Sequence, residues 1–107
     1  MFEFDHVGIT TKEKKEDEFY YEPNKVWITY SESHPFHIEW LRYEPDSPVI
    51  DAIRNKPHVG YCVDSLKEVN IEGLNLILGP MVIDEHKTVA FYEYKDGSII
   101  ELMENHQ

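Results

Sequence analysis

One cysteine, Cys62, is the whole thiol inventory of this 107-residue chain. No disulfide can form within it, and a reducing compartment is the simple expectation. Basic residues are also scarce, with 10 Lys plus Arg against 21 Asp plus Glu and a formal net charge of −11. Such a surface repels phosphate backbones and anionic headgroups, so nucleic acid and membrane surfaces are excluded as expected partners. No apolar run approaches membrane-spanning length, and the start Met1-Phe2-Glu3-Phe4-Asp5 has neither the basic nor the apolar region of a secretion signal. The expected location is cytoplasmic. Glycine and proline are few, at five and six, and where they occur they mark element boundaries. What the chain does have is aromatic weight, with seven Tyr, five Phe and two Trp. That is enough apolar material for one globular domain.

Within the remaining pattern a unit repeats. His6-Val7-Gly8 and His58-Val59-Gly60 each open a short apolar segment, and Ile38-Glu39 and Ile100-Glu101 each sit inside a later one. Each copy thus supplies one imidazole and one carboxylate. Packed face to face, the copies would bring four side chains of metal-ligand type to one spot.

Alternation predicts a strand over Phe2 to Thr10, with Phe4, His6 and Gly8 on one face. Lys12 to Glu18 is almost wholly charged, and periodicity leaves helical turn and loop equally open; the acidic run from Glu13 to Glu18 reads as solvated surface. Two strand-like runs follow, Lys25 to Ser31 and Phe36 to Tyr43, the second with His37, Glu39, Leu41 and Tyr43 on one face. Val49 to Arg54 can add a helical turn. In the second copy, Pro57 to Val63 is a strand. Ser65 and Glu68 have capping-box spacing for a short helix stopped by Gly73, and Leu74 to Leu78 is an apolar run closed by Gly79-Pro80. Thr88 to Tyr94 and Ser98 to Glu104 form a hairpin, placing Tyr92 roughly opposite Glu101. The second copy therefore reads strand, helix, strand, strand, strand. In the first copy the helix is shrunken or lost, because the stretch from His6 to Glu39 is about ten residues shorter than that from His58 to Glu101.

The segments Phe4-Asp5-His6-Val7-Gly8-Ile9, His37-Ile38-Glu39-Trp40-Leu41, Pro57-His58-Val59-Gly60-Tyr61 and Ala90 through Leu102 resemble the vicinal oxygen chelate superfamily of glyoxalases, epimerases, extradiol dioxygenases and antibiotic-resistance proteins. The resemblance spans nearly the whole chain and is strongest from Pro57 on. It implies an α+β fold of paired βαβββ modules forming a cup-shaped mixed sheet, the first module (1–48) truncated and the second running over 49–107, in a single domain. Its ligand positions fall on His6, Glu39, His58 and Glu101, a set that looks like that of bacterial glyoxalase I. The expected cofactor is one divalent metal ion: Ni, Zn, Co, Mn or Fe. By the same resemblance, Glu101 or Glu39 is the candidate general base. His37 and Tyr92 are candidate substrate-contacting residues.

The expected activity is that of a metal-dependent isomerase, lyase or epimerase acting on a small molecule with vicinal oxygens, in a homodimer. The competing expectation is a non-catalytic small-molecule binding protein of the bleomycin-resistance type, in which an acidic aromatic pocket sequesters a cationic drug. An extradiol dioxygenase fits less well, because such sites resemble two His and one Glu. Each candidate also has a plain structural alternative: a histidine in a strand is commonly a hydrogen-bonded core or surface residue, and a glutamate on one face of an antiparallel sheet is commonly solvated. Cys62 has no second cysteine or paired base and reads as an inert core thiol.

Overall fold

Alternating and β-branched segments become strands along most of the chain. The computed structural model describes residues 2–106. In chain order the elements are β1 (Glu3–Thr10), β2 (Phe19–Tyr21), β3 (Val26–Ile28), β4 (Ile38–Tyr43), the one-turn helix α1 (Asp51–Arg54), β5 (His58–Val63), β6 (Asn75–Asp84), β7 (Lys87–Glu93) and β8 (Ile99–Asn105). None of the described helices is long and apolar enough to cross a membrane. The chain divides into two units, one from His6 to His58 and one made of the residues up to Asp5 together with those from Val59 onward. The first of these takes in α1, ten residues beyond the module boundary expected at position 48.

In the His6 to His58 unit the strands lie in the order β2-β3-β4-β1. β1 runs parallel to β4, with Val7 beside Ile38, Gly8 beside Glu39 and Thr10 beside Leu41. The β2/β3 and β3/β4 pairs are antiparallel, so the sheet is mixed. Its buried apolar side chains are Val26, Leu41, Val49 and Ile53. Val26 and Leu41 lie on the sheet face that also carries Glu39, and Ile53 comes from α1.

In the other unit the order is β5-β8-β7-β6. The first strand of each set of four lies beside its fourth, so the repeat seen in the sequence is a repeat of topology. The α+β class and the paired modules are as expected. Here the buried set is larger: Val63, Val89, Ala90, Phe91, Ile99, Leu102 and Met103. Complete burial of such side chains is worth roughly 1.5–3 kcal/mol each, an upper figure given a partly collapsed unfolded chain.

Several local expectations change. The first copy has no helix between β1 and β2, as its shortened length implied. The second copy's helix is only the 3-10 turn Leu66–Glu68, and Ser65 makes no side-chain cap. Instead the Leu66 amide donates to Glu104 Oε1 at 2.7 Å. So short a segment before Gly73 cannot repay helix nucleation. β6 does not end at Gly79-Pro80; it runs through them, with register shifts against β7 between Leu76 and Leu78 and between Leu78 and Met81. A proline is tolerated there because β6 is an edge strand and its missing N–H falls at an irregularity. Glu18 is not solvated either. Its side chain is 4% exposed and accepts two hydrogen bonds from Arg42, from Nε at 3.0 Å and from Nη2 at 2.8 Å.

Candidate metal centre

Three of the four proposed ligands belong to the His6 to His58 unit and converge there. Along β1, His6 and Gly8 are the buried positions, alternating with half-buried Val7 and Ile9. The parallel register sets Gly8 against Glu39, so His6, Gly8 and Glu39 share a face. His58 stands at the start of β5. His6 Nε2 lies 3.2 Å from His58 Nε2, and the two rings meet edge to face at 90°. Glu39 Oε1 lies 3.6 Å from His6 Nε2 and 3.8 Å from His58 Nε2. Both imidazoles are almost fully buried, at 3% and 2% side-chain exposure, while Glu39 keeps 20%.

These three side chains are a His/Glu cluster that could hold a metal ion. Ligand bonds of about 2.0–2.2 Å place neighbouring donors roughly 3.0–3.6 Å apart in octahedral or tetrahedral shells. Two of the observed separations fall in that range and the third lies just above it. Two neutral nitrogens and a carboxylate oxygen also suit the borderline divalent ions.

Gly8 has a task that its place in the repeated triplet alone did not reveal. A β-carbon built on it would collide with the His58 imidazole, at Cε1, Nε2 and Nδ1. The His-x-Gly spacing was the available signal.

Glu101 lies on β8 in the other unit, 9% exposed, between Ile99 and Met103 on its own strand face and directly opposite Phe91. Tyr92 is not opposite Glu101. The hairpin closes on Tyr94 and Ser98, whose amide and carbonyl bond at 2.9 Å, and this pairs Tyr92 with Ile100, on the opposite face of the sheet from Glu101. Burial pushes the Tyr92 phenol above its ordinary pKa.

His37 does not alternate with Glu39 in a strand. It is an exposed residue just before β4, held in the left-handed region at φ 55°, with its amide donating to the His34 carbonyl at 3.1 Å. Cys62 has its thiol pushed up, first by burial and then by the nearby Asp5 carboxylate. A disfavoured thiolate agrees with an inert thiol.

No protein-family model matches the chain, and no curated protein matches it. Among solved structures, a glyoxalase family protein from Bacillus cereus is similar over 98% of this chain and 95% of its own, with 14% sequence identity and a TM-score of 0.45.

Proposed function

We propose that this glyoxalase-like chain is a metal-dependent isomerase, lyase or epimerase of the vicinal oxygen chelate superfamily, acting on a small molecule with adjacent oxygens. The observation that carries the reading is the convergence of His6, Glu39 and His58 at separations of 3.2, 3.6 and 3.8 Å. Glu101 is the proposed fourth ligand, supported by its place in the repeated Ile-Glu pair and by its 9% exposure. Two carboxylates and two neutral imidazoles would balance a divalent ion. When bound, that ion supplies Lewis acidity that makes a C–H next to a substrate carbonyl acidic.

The proton chemistry falls to the chain. His6 and His58 act through Nε2 as neutral donors, fixed by burial. Glu39 is the proposed general base: its side chain is the one of the three that keeps contact with solvent, so an oxygen can accept the substrate proton and exchange it with water. Glu101, less exposed, would hold its position. A homodimer remains the proposed assembly.

Metal analysis of protein purified without chelator tests the reading. About one divalent ion per chain, lost in His58→Ala and Glu101→Ala, is expected. Metal-free protein that binds cationic aromatics would favour sequestration instead. For the reaction class, deuterium exchange at the carbon next to the carbonyl of small hydroxycarbonyl compounds is expected with the loaded wild type and absent in Glu39→Gln.

A further inference from the structure

The structure assigns Gly8 the role of a positioning residue: its missing side chain is the seat in which the His58 imidazole lies, and this sets the donor spacing of the cluster. The reason is not backbone freedom, because Gly8 sits in regular strand β1 between two buried or half-buried residues and pairs in register with Glu39. It is close approach. Three ring atoms of His58 occupy the volume that any β-carbon at position 8 would need. Ordinary side-chain contacts lie near 3.5–4.0 Å, so a methyl group there must displace the ring or the strand.

The ring has little room to retreat. His58 is 2% exposed and its edge already meets His6 at 90°. Moving it off the Gly8 Cα by even 1 Å would take Nε2 out of its present spacing of 3.2 Å to His6 and 3.8 Å to Glu39. A larger residue at position 8 therefore removes a ligand without touching one. This inference bears on the same cluster as the proposed function, but its steric part holds whether or not an ion binds.

The test is a double-mutant cycle on the whole protein. Gly8→Ala, His58→Ala and the double variant are compared with wild type by thermal unfolding in the presence of chelator and by calorimetric titration with Ni²⁺ and Zn²⁺. Gly8→Ala is expected to lower the Tm of the metal-free protein by roughly 5 °C or more, as overpacked cores do. In the His58→Ala background the same change should cost less than about 1 °C, because the ring it collides with is gone. Metal affinity in Gly8→Ala should fall by about 100-fold or more, at the upper end of what disturbed ligand support costs, with an unaltered far-ultraviolet circular dichroism spectrum.

An equal Tm loss in both backgrounds would overturn the inference, since the glycine would then serve the strand and not the ring. So would undiminished Ni²⁺ and Zn²⁺ binding in Gly8→Ala beside a wild type that binds. If the wild type binds neither ion, the functional reading falls, and the Tm cycle still decides the steric assignment.

Discussion

The two units of this protein place the first strand beside the fourth in the same way, but they fill that frame with different chemistry. From His6 to His58, four buried apolar side chains, two of them from strands, accompany two buried imidazoles and a half-buried glutamate. On the sheet face opposite Glu39, Arg42 lies 5.3 Å over Trp27, Trp27 stacks on Tyr20 at 4.7 Å, and Lys15 sits 4.4 Å over Trp40. The other unit buries seven apolar side chains and brings one carboxylate. Duplication therefore does not imply equal shares of the work. The unit from Val59 onward holds most of the buried hydrocarbon, while the His6 to His58 unit, whose last residue is the second copy's imidazole, holds three of the four proposed donors and is braced by charge on aromatic faces.

The sharpest break in that comparison is His58→Ala, which should abolish tight metal binding. Truncating so buried a ring should also cost about 1–3 kcal/mol in urea unfolding, followed beside calorimetric titration. Next in size is Leu102→Ala in β8, fully buried at 0% exposure. About 2–5 kcal/mol of stability should be lost in urea unfolding, with metal stoichiometry unchanged in the protein that stays folded. If the donors are instead insensitive to His58, or if Leu102→Ala costs metal and not stability, the division of labour between the units is wrong.

The smallest effect expected comes from the outer brace. The Arg42 hydrogen bonds hold the Glu18 carboxyl below its ordinary pKa, against the opposing effect of its burial. A lowered folded pKa means that the pair contributes stability at pH above the unfolded carboxyl value of about 4.3. The contribution fades as pH falls through the lower folded value. Glu18→Gln should therefore be less stable than wild type at pH 7. In paired thermal melts, the gap should close in acid, whereas a constant gap would mean that shape, not charge, holds the brace.

Much of this was legible from residue order. The two His-x-Gly triplets and two Ile-Glu pairs marked the duplication, and the fold class followed from the family resemblance that those segments carry. His6, Glu39 and His58 were named from that repeat, and the structure brings them together. What failed was phase and depth. Tyr92 was set one residue out of register, and since strand side chains alternate, a slip of one moves a residue to the other face. Alternation carries His37 into the Phe36 to Tyr43 run on the face of Glu39, but the left-handed turn at φ 55° interrupts that alternation just before β4. Glu18 looked like one more surface charge because its partner, Arg42, lies 24 positions away and no local pattern links them. The Ser65 capping box was a correct spacing in a segment too short to use it.

The irregular edge strand β6 bears on how copies of this chain can meet. Pro80 removes one backbone donor from that rim, and the register shifts on either side of it break the regular ladder into short runs. A second molecule seeking to lengthen the sheet by laying its own strand along β6 would find no uninterrupted row of amides to pair with. That rim is thereby guarded against fibre-like stacking, and strand addition at β6 is not a route to a homodimer.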